Sequence, residues 1–165
     1  SSMTQSDWVP GKFGSTLDFD GTDDKVEIGN VSSLNFGTSA FTLSTWIKTT
    51  SSRREVIIHK VGAINPEDGW SLDVLATGQI RIYCSEDGSH YRYRSSSSGV
   101  TNGAWHHVLV TSESGLDGTF NVYIDGNLNQ GGQTTGSGGG SDCSSSGTAG
   151  IGLSLIHISE PTRPY

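Results

Sequence analysis

Two neighbouring runs in the middle of the chain carry side chains suited to recognising sugars and anions. Arg81 and Tyr83 alternate along the first run, and Arg92 and Arg94 alternate along the second. Because every second residue of a β-strand points to the same side, each pair shares one face of its strand. A two-residue turn at positions 87–88 places Tyr83 opposite Arg92, so we expect all four side chains on the face away from the core.

This cluster predicts a binding surface rather than a reactive centre. Tyrosine rings stack on sugar rings, and guanidinium groups bind carboxylate or sulfate in a bidentate manner. In an acidic protein such a cluster indicates an anionic polysaccharide, with Asp73 on the same face and His59 as a further candidate at the rim. The competing interpretation is structural, because Asp73 lies opposite Arg81 in the simplest hairpin register and pairs with it across the strands.

A crowded acidic turn is the second candidate site. Its side chains are Asp18, Asp20, Asp23, Asp24 and Glu27. Ca²⁺ takes roughly six to eight oxygen ligands, so Asp20, Asp23 and Asp24 with the Gly21 carbonyl form a candidate calcium site. The alternative is a solvated turn in which Asp20 pairs with Lys25. We favour this alternative, because calcium binding needs several oxygens held in rigid positions.

The remaining chemistry-bearing residues give weaker signals. Cys84 and Cys143 fit no metal-ligand spacing, and they form either one disulfide bond or two free thiols. His106 and His107 are adjacent on an alternating run, so their side chains point to opposite faces and cannot share one metal. No histidine stands near either cysteine in an activating pattern, and no nucleophilic catalysis is predicted.

Composition limits the class of protein. The chain has 165 residues, which fits one domain, and its 32% hydrophobic content with 23 glycines is typical of a turn-rich β-sandwich. A net charge of −7 at pH 7 argues against nucleic acid as a partner. No apolar run approaches the length of a membrane span. No signal peptide is visible, and residues 1–3 are interpreted as a cloning remnant.

Alternating runs place these side chains on strands. We predict strands at residues 17–20, 25–28, 41–48, 56–59, 70–75, 79–85, 90–94, 105–111 and 120–126. The first two are predicted to form a hairpin. We expect Trp46, Trp70 and Trp105 to pack in the core rather than serve as sugar platforms, because large aromatic side chains dominate sandwich cores.

Five of these runs, in order, resemble the signatures of laminin-G-like, concanavalin A-like domains. They are Leu17–Asp24, Phe41–Lys48, Gly69–Leu72, Trp105–Val108 and Tyr123–Gly126, and the resemblance covers residues 11–152. It implies an all-β, antiparallel jelly-roll β-sandwich of two curved sheets. It also implies an extracellular carbohydrate-binding module of a larger bacterial or phage protein, with structural calcium near the acidic turn.

The end of the chain departs from this family. The expected closing strand with its Asp-Asp pair is absent, and the sandwich is predicted to be truncated at its C-terminus. Residues 153–165 resemble the translation of a sequencing adapter, as expected for a library of environmental DNA. We expect residues 153–158 to pair in place of the lost strand, or the open edge to support a dimer.

The predicted function is therefore non-catalytic binding of a polysaccharide. Glycanases of this fold carry three acids in one strand run, whereas the nearest run here, residues 71–76, has only Asp73. Two alternatives stay open: an adhesion or spacer module that binds protein, and a weak β-glycanase.

Overall fold

Antiparallel strands make up most of the regular structure in the computed structural model, which describes residues 5–22, 24–62, 68–115, 118–136 and 142–152. The strands are β1 (Trp8–Pro10), β2 (Ser15–Leu17), β3 (Val26–Gly29), β4 (Phe41–Lys48), β5 (Glu55–Val61), β6 (Gly69–Val74), β7 (Gln79–Ser85), β8 (Tyr91–Gly99), β9 (Trp105–Ser112), β10 (Phe120–Ile124), β11 (Asn127–Leu128), β12 (Gln133–Thr135) and β13 (Ala149–Ile151). Two 3-10 helices, Gln5–Asp7 and Ser32–Leu34, complete the described elements.

Two large sheets form the sandwich. One has four strands in the order β11-β10-β9-β4, and the other has seven in the order β12-β8-β7-β6-β5-β13-β3. Neighbouring strands run antiparallel throughout these sheets, and β1 and β2 form a separate hairpin. This architecture confirms the predicted all-β jelly-roll sandwich. In the described part of the chain, no helix has the length and apolar character needed to cross a membrane.

The core lies between the inner sides of the two sheets. Trp70 is fully buried, donates its indole N–H to the Leu34 carbonyl at 2.8 Å and stacks on Phe36 at 4.8 Å. Its predicted core position is confirmed. The remaining buried apolar residues include Leu72, Val74, Ile80, Ile82, Val108, Val110, Phe120 and Val122. These are alternate residues of β6, β7, β9 and β10, as two half-buried layers require.

The core prediction is wrong for Trp46. Strand β4 alternates strictly from the buried Phe41, so Trp46 points to the outer side and is 37% exposed. The prediction is also wrong for Trp105, which lies opposite Lys48 on the same outer side and is partly buried. The alternation of a strand outweighs the general tendency of tryptophan to be buried, because one slip would expose Phe41 and Leu43 instead.

The register between β7 and β8 also differs from the prediction. Tyr83 lies opposite Tyr93, not Arg92, and Cys84 lies opposite Arg92. The turn contains three residues instead of two, with Gly88 in the left-handed region at φ 82°. One additional residue in the turn moves every following side chain to the other face.

The predicted hairpin between residues 17–20 and 25–28 does not form. Strand β2 pairs with β1, whereas β3 pairs with β13 at the edge of the seven-stranded sheet. The carboxylate-rich turn therefore connects two different sheets. Residues 153–165, including the segment predicted to replace a lost strand, lie outside the described residues.

A disulfide bond and the hydrogen bonds of a buried lysine hold the segment before β13 in place. Cys84 on β7 and Cys143 form a disulfide bond with a Cα–Cα distance of 5.5 Å. The buried ammonium of Lys60 donates to the Asn30 side-chain oxygen at 2.7 Å and to the Gly147 carbonyl at 2.9 Å. Burial lowers the pKa of Lys60, because its charge is removed from water.

Candidate functional site

Three stacked tyrosines lie on the outer side of the seven-stranded sheet. The Tyr83 and Tyr91 ring centroids are 5.8 Å apart, and those of Tyr91 and Tyr93 are 6.2 Å apart with the planes 13° from parallel. Tyr83 and Tyr93 are directly opposite across β7 and β8, and Tyr91 lies opposite Ser85 on the same side. We call Arg81, Tyr83, Tyr91 and Tyr93 the tyrosine face.

Arg81 is held rigidly among these rings. Its guanidinium carbon lies 5.4 Å from the Tyr83 centroid and 5.9 Å from that of Tyr93. Its Nε and Nη2 donate to Asp73 Oδ2 at 3.1 and 2.5 Å, and Arg54 donates to the same oxygen at 3.2 and 2.8 Å. Asp73 is fully buried, whereas the Arg81 and Arg54 side chains are 18% and 38% exposed.

The hydrogen bonds of Asp73 explain how a carboxylate is tolerated there. Two guanidinium groups compensate one buried negative charge, which leaves the three-residue cluster with one net positive charge. The planar groups are fixed against one another, so the tyrosine rings and the Arg81 edge keep a defined arrangement. Such a surface can stack on a sugar ring and donate hydrogen bonds to its oxygens.

His59 continues the same row of side chains on β5. It lies opposite Ser71, which in turn lies opposite Tyr83. The imidazole is 3% exposed, and neither ring nitrogen has a hydrogen-bond partner among the described residues. Burial lowers the pKa of His59, and the Asp73 charge opposes this effect. His59 is thus an enclosed neutral group beside the face, not a residue of an exposed rim.

The structure brings together four of the six predicted ligand-binding residues. They are His59, Asp73, Arg81 and Tyr83, and they share the outer side of the seven-stranded sheet. Tyr91 and Tyr93 take the positions expected for the arginines. The sequence signal that identifies them is the length of the turn, since three turn residues place tyrosines opposite Tyr83 and Ser85.

Arg92 and Arg94 were predicted on this face, and that placement is wrong. They lie opposite Cys84 and Ile82, whose side chains point into the core. Arg92 donates Nη1–H to the Gly118 carbonyl at 2.7 Å, in the segment that leads into the other sheet. The buried Nε atoms of Arg92 and Arg94 have no partner among the described residues. These arginines are therefore not part of the tyrosine face.

The acidic turn brings few oxygen ligands together for calcium in the described part of the chain. Asp20 Oδ1 accepts the Thr22 N–H at 2.8 Å, and Asp24 Oδ2 accepts the Asp20 N–H at 3.2 Å. Lys25 pairs with Glu27 at 2.5 Å. Across the described ranges no three carboxylate, imidazole or thiol groups converge on a metal position. Asp23 of the predicted set lies outside those ranges, so calcium binding by the full set stays a prediction.

The adjacent histidines of β9 have separate structural roles. His106 contacts Asp125 through Nδ1 at 2.7 Å and Asn102 through Nε2 at 2.9 Å. The hydrogen bonds from His106 and from the His107 N–H lower the pKa of Asp125, because hydrogen bonding and opposite charge favour its ionised form. His107 shares a 2.9 Å hydrogen bond with Ser44 on the outer side of β4.

A broad cleft opens between the sheets beside β4. Its volume is about 1130 Å³, and its walls include β2 and the second half of β4. Apolar side chains of the other sheet, among them Ile57, Val74 and Ile151, form its base. In the described part of the chain β4 pairs only with β9, so one edge of this eight-residue strand is free.

Comparisons with known proteins agree with this architecture. A laminin G family model, described as the concanavalin A-like lectin/glucanases superfamily, matches residues 20–152. The LG1-3 region of the laminin alpha2 chain superposes with a TM-score of 0.63 and 16% identity, over 88% of this chain and 27% of that one.

The mouse laminin alpha1 chain, domains LG4-5, superposes with a TM-score of 0.53 and 16% identity, over 69% of this chain and 28% of that one. This chain therefore spans little more than a quarter of either laminin structure. At this identity the similarity shows a shared fold. A comparison with curated proteins finds no match.

Proposed function

The chain belongs to the concanavalin A-like lectin/glucanases superfamily, and from this membership we propose that it is a non-catalytic, carbohydrate-binding module. Its ligand is a polysaccharide, and the tyrosine face receives it. The observation that carries this proposal is the stack of Tyr83, Tyr91 and Tyr93 around the fixed guanidinium of Arg81. Stacked rings beside a preorganised donor suit a sugar, which presents an apolar ring face and a polar edge.

The state of Asp73 supports binding without catalysis. A retaining glycanase needs two carboxyl groups about 5 Å apart on either side of the sugar bond. Asp73 is the one acid in its run, it is fully buried, and two arginines pair with its Oδ2 atom. It holds Arg81 in position and does not meet the ligand as a general acid or nucleophile.

An extracellular location is part of the proposal. The Cys84–Cys143 disulfide bond supports it, because such bonds persist in oxidising compartments. A place within a larger secreted protein is part of the same proposal.

Retention on immobilised polysaccharides tests the proposal. We expect slowed migration of the protein in gels that contain one or more neutral or acidic polysaccharides, with and without a calcium chelator. Tyr91→Ala should lose about tenfold in affinity, which corresponds to about 1.4 kcal/mol. Tyr123→Ala, a tyrosine on the outer side of the other sheet, is the matched control and should bind as the wild type does.

Two results would contradict the proposal. The first is migration unchanged by every polysaccharide in the panel. The second is an equal loss in the Tyr91→Ala and Tyr123→Ala variants, which would show that binding does not depend on the tyrosine face. Release of reducing ends from any tested glucan would instead support a glycanase.

The second candidate function is an adhesion or spacer module that binds protein. The free edge of β4 and the cleft beside it favour this alternative, since an unpaired strand edge can accept a strand from another molecule. A dimer through this edge is the simplest case. Light scattering after size-exclusion chromatography distinguishes the candidates: a dimer that binds no polysaccharide supports the protein-binding module.

A further inference from the structure

The turn between β1 and β2 presents a cation and an aromatic ring at its tip. Gly11 donates its N–H to the Gly14 carbonyl at 2.7 Å, and Gly14 adopts φ 69°. Lys12 and Phe13 are the two central residues of this closed turn. The hairpin precedes residue 20, where the family match begins, so it is a feature of this chain outside the matched domain.

The turn rests on the outer side of the four-stranded sheet. The Phe13 ring meets Trp46 edge to face at a centroid distance of 5.5 Å, and Lys12 Nζ lies 5.4 Å from the Trp46 centroid. The ring centroids of His107 and Trp46 are 5.2 Å apart, and His107 shares a hydrogen bond with Ser44. We call Lys12, Phe13 and Trp46 the hairpin platform. A small hollow adjoins it and is lined in addition by Ser15, Thr16 and Trp105.

Exposure of this platform is unusual for side chains of its type. Phe13 is 73% exposed and Trp46 is 37% exposed. Contiguous exposed aromatic surface on a soluble domain commonly marks a binding site. The platform is also rigid before any ligand arrives, because Trp46 lies on a paired strand and the turn is closed by its own hydrogen bond. Little conformational entropy is therefore lost on binding.

The charged side chains around the platform indicate which kind of ligand it suits. The outward-facing strand residues here are Thr42, Ser44, Trp46, Lys48, Trp105, His107, Leu109, Thr111, Asn121 and Tyr123. They include a second lysine and no carboxylate. Asp125, in the turn after β10, is engaged by His106 and by the His107 N–H. On a protein with net charge −7, the outward-facing strand residues of this surface therefore carry positive but no negative side chains.

The tyrosine face is less suited than the hairpin platform to bind an external anion. Arg81 and Arg54 both direct their donors to Asp73, and the two arginines expected to join them face the core. Its capacity for an external anion is thus reduced, although its rings remain suited to a neutral sugar. Lys12 and Lys48 form no ion pair with any described residue, so their charges are available.

We propose that the hairpin platform is a second glycan subsite that recognises an anionic sugar residue. This inference rests on the proposed carbohydrate-binding function and names the substrate class. The sugar ring stacks on the exposed Phe13 ring. Its carboxylate or sulfate pairs with Lys12 and Lys48, and the Ser15 and Thr16 hydroxyls meet the sugar hydroxyls in the adjoining hollow.

Titration with defined polysaccharides tests the subsite. The probes are polygalacturonate for carboxylate, dextran sulfate for sulfate and a neutral β-glucan. We expect Phe13→Ala and Lys12→Gln each to weaken binding to an anionic probe by about tenfold at low salt and to leave β-glucan binding unchanged. The Lys12→Gln loss should shrink as salt is raised. Leu128→Ala removes another exposed apolar side chain, 59% exposed and on the four-stranded sheet, and is the control.

Each remaining outcome has a defined meaning. Wild-type affinity for the anionic probes in both variants overturns the subsite and leaves the proposed function intact. Failure of the unmodified protein to bind any polysaccharide overturns the proposed function itself. Equal binding of double-stranded DNA and polygalacturonate, or capture of a protein partner that Phe13→Ala abolishes while glycan binding persists, also overturns the subsite. Unchanged thermal unfolding verifies that each variant is folded.

Discussion

Tyr83 lies directly opposite Tyr93 across β7 and β8, and this single pairing determines the character of the outer face. It brings Tyr91 into the same ring stack and turns the neighbouring arginines toward the core. The surface that results is aromatic with one fixed guanidinium, rather than a row of four basic and aromatic side chains. Its chemistry suits stacking on a sugar more than capture of an anion.

Replacement of Asp73 should release the arginines that it holds. In Asp73→Asn the two guanidinium groups lose their buried counter-charge, so we expect the free energy of unfolding to fall by about 2 kcal/mol. Urea denaturation measures the change. Arg54→Gln is the control, and because Arg54 is 38% exposed its loss should stay below about 1 kcal/mol. Equal stability of Asp73→Asn and the wild type would contradict the described ion-pair cluster.

The enclosed imidazole of His59 predicts a pH dependence of stability. Burial lowers the pKa of His59 below its ordinary value of 6.5. Near that pH, His59 is therefore protonated in the unfolded chain to a greater extent than in the folded chain. The unfolded state then binds more protons, and stability rises with pH in this window. We expect stability to decrease as the pH falls from 6.5 toward the lowered pKa.

Chemical unfolding across this pH range, compared between the wild type and His59→Gln, isolates the effect. The variant should show a flatter profile. Three carboxyl groups of the described residues have lowered pKa values, Glu27 from 4.5 and Asp87 and Asp125 from 3.8, and so act at more acidic pH. An identical pH profile in the variant would mean that the folded protein does not disfavour protonation of His59.

The disulfide bond should contribute strongly to stability. It links residues 59 positions apart, and closing a loop of this length lowers the entropy of the unfolded chain by an amount worth about 4 kcal/mol. Cys84→Ala with Cys143→Ala should lower the urea midpoint accordingly. Mass spectrometry of the intact protein before and after reduction gives the direct check. A mass that corresponds to two free thiols without reductant would contradict the bond.

The sequence predicts short-range pairing well where alternation and turn agree. The hairpin of β6 and β7 has the expected register, with Leu72 opposite Ile82 and Asp73 opposite Arg81. Apolar residues repeat at every second position on both strands, and the turn residues between them leave one register that buries all of them. The ion pair between Asp73 and Arg81 follows from that register.

The residue types in a turn do not determine its length, and for this reason the prediction is wrong for two of the six ligand-binding residues, Arg92 and Arg94. Asp87 and Gly88 fit a two-residue turn, but Asp87 also accepts the N–H groups of Ser89 and His90 and so stabilises the longer turn. Local sequence supports both turns. The observed pairing follows the longer turn, which places tyrosines rather than two guanidinium groups on the outer face.

Local sequence patterns do not predict which strands pair when they are distant in sequence. Strand β3 pairs with β13, which is distant in sequence, whereas a turn-rich segment suggested pairing with its neighbour. The surroundings of Trp46 likewise depend on a segment that is distant in sequence. Its outward orientation follows from β4 alternation, but the Lys12 and Phe13 turn that packs on it comes from the separate β1–β2 hairpin, which no motif identified.

The most direct measurement of the central claim is the dissociation constant of the retained polysaccharide for Tyr93→Ala and Arg94→Gln, determined by calorimetry. Tyr93 lies on the outer face, whereas the adjacent Arg94 faces the core. We predict that Tyr93→Ala weakens binding by about tenfold and that Arg94→Gln keeps wild-type affinity. Loss of affinity in Arg94→Gln with full affinity in Tyr93→Ala would contradict the tyrosine face as the ligand-binding surface.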